Sequence, residues 1–267
     1  MRKLLLVTVA VGLALWCAPA QASSVTLTSG NSSATIQADS TAGMNSWVVD
    51  GVNQLYQQWF FFRIGSTGDE SGINALSVSS VVQPLPNIAI VSYAGQNGLN
   101  VAITYTLTGG SGGSATSDIA ETIAINNSGR SALDLHFFQY SDFDLNGTPG
   151  GDTVQIANPN SVTQSGENNF MSETVITPPA NFHAVGFYPD LLNLFSDGLP
   201  TTLDNSNGPL TGDVSWAFQW DDTLGANGTF IISKDKQIRP VPEPGSMLLL
   251  GTGLFGLAGV IRRRFAK

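Results

Sequence analysis

Short runs in which apolar and polar residues alternate recur over most of this 267-residue chain. Residues 99–108 put Val101, Ile103, Tyr105 and Leu107 on one side and mostly polar residues on the other. A period of two is the signature of a half-buried strand. Residues 118–126 repeat the pattern with Ile119, Ile123 and Ile125, and Glu121 is the one misfit on that face. Residues 55–64 are aromatic-rich, and residues 133–143 and 214–220 are further strand candidates. Trp216, Phe218 and Trp220 share one face, which predicts a core face. Turn chemistry separates the runs. Asp50-Gly51 predicts a tight hairpin, and the Gly/Ser stretch 109–114 predicts a flexible loop. One short helix is expected over residues 190–197. No fixed-period repeat and no long amphipathic helix is present. Many short strands with turns between them predict an all-β fold, a single antiparallel β-sandwich over residues 23–240.

The ends follow a different pattern. Arg2 and Lys3 precede an uncharged apolar stretch, residues 4–16, and Ala20-Gln21-Ala22 is a small-x-small cleavage site with the cut before Ser23. Residues 1–22 therefore read as a signal peptide with a signal helix, a substrate for signal peptidase. At the other end, Pro242-Glu243-Pro244 precedes a 16-residue charge-free run, residues 246–261, and then Arg262-Arg263-Arg264. The run is slightly short of the about 20 residues that cross hydrocarbon. It is still expected to form a transmembrane helix, with the arginine cluster stopped on the cytoplasmic side. The prolines keep the motif extended, a shape that a processing enzyme can bind.

Pro242, Glu243 and Pro244, the glycine-rich span and the terminal arginines together resemble the PEP-CTERM sorting domain of Gram-negative bacteria, over residues 241–267 only. The resemblance implies recognition by an exosortase, a transient inner-membrane anchor and delivery to the cell surface or beyond. It also implies a setting of exopolysaccharide and biofilm matrix.

Composition narrows the body further. With the ends set aside, residues 23–240 hold five basic and 19 acidic side chains, a net charge of −14. Such a surface repels phosphate backbones and argues against nucleic acid as a partner. The sole cysteine, Cys17, lies in the signal segment, so the body has no disulfide and no cysteine nucleophile.

Candidate chemistry is sparse. Asp142, Asp144 and Asn146, followed by Gly147, begin a calcium loop of the D-x-D-x-N-G kind, but Thr153 stands where the closing acid belongs and Asp152 is one residue early. Calcium is the one cofactor these residues suggest. His136 and His183 sit in no zinc motif. Trp47 and Trp59 are candidates for stacking on sugar rings, with Trp216, Trp220, Tyr56, Tyr93 and Tyr140 as further aromatics; core packing is the competing role. Glycoside chemistry needs two facing carboxylates, and Asp142, Asp144, Glu121, Asp221 and Asp222 are the first to compare. The stretch 119–143, strand, Asn-rich turn and strand, has a fold-level likeness to galactose-mutarotase-like or immunoglobulin-like sandwiches. No catalytic residue is assigned from these patterns. The expectation is a non-catalytic, structural surface or matrix protein, with a polysaccharide-binding module or a carbohydrate-active enzyme as the alternatives.

Overall fold

The computed structural model describes residues 24–95 and 97–241. The signal site at Ala20, Ala22 and Ser23, the motif Pro242, Glu243 and Pro244, the expected membrane helix 246–261 and Arg262, Arg263 and Arg264 lie outside the described residues. Among the described residues no helix is long and apolar enough to cross a membrane.

The chain forms two large sheets, almost wholly antiparallel, that face each other as a sandwich. The first runs in the order Ser24–Ser29, Ser32–Gln37, Gly43–Val49, Gln57–Ile64, Leu133–Asp142, Val214–Leu224 and Phe182–Phe187. Its one parallel contact joins Gly43 and Met44 to Gln58. The second runs Leu210–Gly212, Asp152–Asn158, Ser161–Ser165, Asn169–Thr177, Thr229–Pro240, Ser117–Asn127, Leu99–Gly109, Ile88–Ala94 and Ser77–Leu85. The predicted alternation is present in Leu99–Gly109, where Val101, Ile103, Tyr105 and Leu107 are buried and pair with the inward residues of Ser117–Asn127. Asp50 and Gly51 make the hairpin turn, both at positive φ, with Val49 opposite Val52.

Trp216, Phe218 and Trp220 all have no exposed surface, as their shared face predicted. They line one side of the space between the sheets, together with Phe60 and Phe137, whose rings stack at 5.7 Å. Burying such side chains is the main drive for closing the sandwich.

Two local expectations change. The loop 109–114 is tied down: the Asp50 carboxylate accepts the Gly113 and Ala115 amides at 2.6 and 2.8 Å. The helix stops after one turn, Asp190–Asn193, because the following amides of Phe195 and Ser196 bond three residues back and tighten the chain. That segment then crosses the outer face of the first sheet. Phe195 stacks on Phe61 at 4.8 Å and packs on Phe138 at 5.4 Å, so the strand Leu133–Asp142 is covered on both faces.

Candidate functional site

At the end of Leu133–Asp142 the cover runs out. Phe143 turns inward, parallel to Trp216 at 6.3 Å. The next residues fold into a tight loop through Asn146 and Gly147, at φ 65 and 74. Asp152 holds this loop: its Oδ2 accepts the Leu145 amide at 3.0 Å and Gln164 Nε2 at 2.8 Å. Gln164 also donates to the Phe143 carbonyl at 2.7 Å. The acid nearest the expected closing position of a calcium loop is thus spent on fixing backbone. Asn146 donates its backbone amide to Gln54 Oε1 at 2.8 Å. Asp213 joins the two aspartates: one oxygen each from Asp142, Asp144 and Asp213 lie within 4.8 Å of one another.

Two tyrosines stand beside these acids, each tied to one of them through the backbone. The Tyr56 amide donates to the Asp142 carbonyl and the Tyr188 amide to the Asp213 carbonyl, both at 3.0 Å. The rings meet edge to face at 5.4 Å, and Tyr56 is 48% exposed. Tyr56, Tyr188 and the three aspartates line a hollow of about 240 Å³. A second hollow of about 480 Å³ shares Tyr56 and Asp144 with it and continues past Gln57, Asn45 and Asn53.

The electrostatics of the acids differ. Asp142 is 1% exposed. Its Oδ2 accepts the Tyr140 hydroxyl at 3.1 Å, and its Oδ1 has no hydrogen-bond partner. Burial, with Asp144 adding repulsion, pushes its carboxyl up to about 7. Asp144 is raised by burial and then by Asp213. Asp142 is therefore an acid able to hold a proton near neutrality beside two further carboxyl groups. That pairing suits proton transfer to and from a bound hydroxyl.

The other candidates fall elsewhere. Trp47 and Trp59 have no exposed surface. Trp47 gives its indole N–H to Ser117 Oγ at 2.9 Å and Trp59 packs against Tyr93, so neither offers a ring face to a sugar. Tyr56 is the exposed ring. Glu121 is buried between the sheets, while Asp221 bonds His136 Nδ1 at 2.8 Å. His183 bonds Asn207 instead, at 2.9 Å, so the histidines have separate partners. Asp213 and Tyr188 were not singled out by spacing. Neither lies in a motif, and only the folded registers bring them to Asp142.

Comparison with known proteins bears on the C-terminal motif and on the fold. The model of the PEP-CTERM protein-sorting motif matches residues 240–264. No curated protein matches the chain. Among solved structures, a bacterial glucoamylase in complex with acarbose superposes at a TM-score of 0.61, with 10% identity, over 86% of this chain and 33% of the glucoamylase. The GalM/aldose epimerase homologue from C. elegans gives 0.54 and 9%, over 82% of this chain and 99% of its own. A galactose mutarotase-like protein from Lactobacillus casei ATCC 334 gives 0.51 and 10%, over 81% and 100%. At these identities the likeness is one of fold, and it agrees with the mutarotase-like reading of residues 119–143. It corrects the expectation of a non-catalytic body: the fold is shared with the epimerase homologue over its length and with a third of the glucoamylase. The chain spans about a third of the glucoamylase. The C-terminal match makes this chain a PEP-CTERM protein, exported and carrying a sorting and membrane-anchoring signal over residues 240–264 that implies processing by an exosortase.

Proposed function

We propose that the body is a carbohydrate-active domain that works outside the cell on exopolysaccharide or its fragments, with its site at Asp142, Asp144, Asp213, Tyr56 and Tyr188. In this reading signal peptidase removes residues 1–22, the tail beyond the Pro-Glu-Pro motif holds the chain at the inner membrane until it is cut, and residues 23–240 remain as the working unit at the surface or in the medium. The observation that carries the reading is the Asp142 carboxyl: buried, unpartnered at Oδ1, and lining a hollow that an exposed tyrosine ring also lines. Sugars present ring faces for aromatic contact and hydroxyls for carboxylates. Tyr56 supplies the first contact and the aspartates the second. Asp142 in its protonated form acts as the acid, and Asp144 or Asp213 as the base.

The test is turnover. The purified protein is incubated with oligosaccharides from the exopolysaccharide of the cells that export it, and the anomeric signals are followed by NMR. The wild type changes the anomer balance or releases new reducing ends, and Asp142→Asn slows this by about 10²–10⁴-fold, the usual worth of a general acid. No change with any fragment, or full activity in Asp142→Asn, removes the reading.

One observation favours a second use of the same residues. Three carboxylate oxygens within 4.8 Å form a set that a calcium ion could share, as oxygen-rich sites do. A calcium ion bound there would bridge protein and sugar hydroxyls rather than leave Asp142 protonated. Millimolar calcium then raises the melting temperature of the wild type and not of Asp213→Ala, since a ligand of the folded state stabilises it. An equal response in both proteins, or none, rejects calcium here.

A further inference from the structure

The misfit residue Glu121 leads to a second constellation, at the centre of the sandwich and separate from the acidic hollow. The strand Thr229–Pro240 lies between Ser117–Asn127 and Asn169–Thr177. It points Lys234 and Lys236 at the opposite sheet, 1% and 0% exposed. Glu121 is the register partner of Lys234, and Glu173 of Lys236. Gln139, from Leu133–Asp142 of the facing sheet, meets them with no exposed surface of its own.

Within this set the contacts are ordered. Lys234 Nζ donates to Gln139 Oε1, so the carboxamide carbon is one bond beyond the atom it touches. Lys234 Nζ is 2.6 Å from Glu121 Oε2 and 3.7 Å from Glu173 Oε1. Gln139 Nε2 donates to Glu173 Oε2 at 2.9 Å and to Ser141 Oγ at 3.0 Å. The Phe60 ring lies 4.8 Å from Lys234 Nζ, and the surroundings are aromatic core. A primary amine, a carboxamide and two carboxylates that can move protons between them are thus held together in the buried core.

We infer that Lys234 and Gln139 are joined by an intramolecular isopeptide bond, formed by the protein itself, that staples one sheet to the other. Glu121 accepts a proton from the Lys234 ammonium. The free amine attacks Cδ of Gln139, forming the Nζ–Cδ bond. Glu173 takes a second proton from Nζ and, as its carboxyl group turns, delivers that proton to Nε2, and the Cδ–Nε2 bond breaks to release ammonia. Amine plus carboxamide gives amide plus ammonia, so no oxidant and no other reactant is required. Glu121 keeps its proton, and the buried set remains neutral overall, with Lys236 Nζ 2.5 Å from Glu121 Oε1 and 3.8 Å from the Glu173 carboxylate that balances its charge.

General physics favours the step. Positioning the two groups converts a slow bimolecular reaction into a unimolecular one. Exclusion of water protects the product from hydrolysis. Burial lowers Lys234, against the upward pull of Glu121 and Glu173, which favours the free amine. The ion pairs oppose the first proton transfer: Lys234 and Lys236 outweigh the cost of burial at Glu121 and hold it at about 2 before reaction. The link also fills a structural need, because the exported body contains no cysteine and no disulfide can join its sheets.

Mass spectrometry of the full-length folded protein, with its termini read from its own terminal peptides, decides the matter. The wild type is lighter than its sequence by one ammonia. Tryptic mapping finds a branched peptide joining Gln139 to Lys234, with no cleavage after Lys234. Glu173→Gln, which keeps both reacting side chains, has the full sequence mass and a linear Gln139 peptide. A wild-type protein at full sequence mass with cleavage after Lys234 overturns the inference and leaves an ordinary buried ion cluster. A missing ammonia that maps to another residue, such as an Asn-Gly succinimide, overturns it as well. The wild-type measurement stands whether or not any variant folds.

Discussion

Four aspartates in this chain show how far the surroundings of one residue type can separate its chemistry. Asp152 is held near 6, chiefly by burial, while bonds from Gln164 and Leu145 pull it down. Asp142 has one hydrogen bond and reaches about 7. Asp118, beside Asp235 on the second sheet, is pushed to about 6, by burial first. Asp50, bonded by two backbone amides, is lowered. The three raised groups bind protons more tightly folded than unfolded, where an aspartate titrates near about 3.9. Their stabilising contribution is complete below that value and is lost as pH rises through about 6 to 7. As long as Lys234 is unlinked, Glu121 acts in the opposite sense, and its contribution is lost as pH falls through about 2. The melting temperature should therefore be higher at pH 5 than at pH 8, and Asp142→Asn should narrow that gap. A flat profile between those values, or a gap unchanged by the substitution, would show that these carboxyls are not desolvated as described. Little of this was visible in the sequence. The D-x-D-x-N-G pattern drew attention to Asp142 and Asp144, but the Tyr140 hydrogen bond to Asp142 and the charge of Asp213 beside them come from the fold, and Asp213 is remote in sequence.

Elements were more legible than sites, and the difference is physical. Leu99–Gly109 and Ser117–Asn127 bury one face and announce themselves by alternation. Val214–Leu224 was readable because three large rings share a face. Ser161–Ser165 and Leu210–Gly212 were not anticipated, since short, largely polar strands carry little hydrophobic signal. Leu133–Asp142 is buried on both faces because Phe195 covers the outer one, an arrangement set by a loop rather than by the strand. Tertiary contact also decides the cost of a substitution. Trp216 is fully buried between Phe143 and Phe218, at 6.3 and 5.5 Å. Trp216→Ala should destabilise the protein by about 3–5 kcal/mol in denaturant unfolding. A loss under about 1 kcal/mol would mean that the core collapses around the gap, contrary to close packing.

For the molecule as a whole, the sequence states its route more clearly than its work. Residues 240–264 carry their meaning in a contiguous motif, and the match there makes the chain an exported protein. The body carries its meaning in residues that the fold assembles from distant strands: Tyr56 lies just before Gln57–Ile64, Asp142 ends Leu133–Asp142, and Tyr188 and Asp213 flank the segment between Phe182–Phe187 and Val214–Leu224. No local spacing could announce Tyr188 and Asp213. The body's charge also looks different once folded. Of its five basic residues, Arg63, Lys234 and Lys236 are buried, so the solvent-facing surface is more uniformly acidic than composition alone implies. Such a surface stays soluble outside the cell and repels other polyanions, which leaves the tyrosine-flanked hollow as the place where a sugar chain would engage.

The most direct measurement is calorimetric titration of the purified protein with oligosaccharide fragments of the exopolysaccharide made by the exporting cells, comparing wild type with Tyr56→Ala. The account predicts saturable one-site binding that weakens by about tenfold, roughly 1.4 kcal/mol, when the exposed ring is removed, with the melting temperature nearly unchanged. Binding of equal strength in both proteins would place any carbohydrate site elsewhere on the molecule, and no binding in the wild type would contradict a carbohydrate role for this fold.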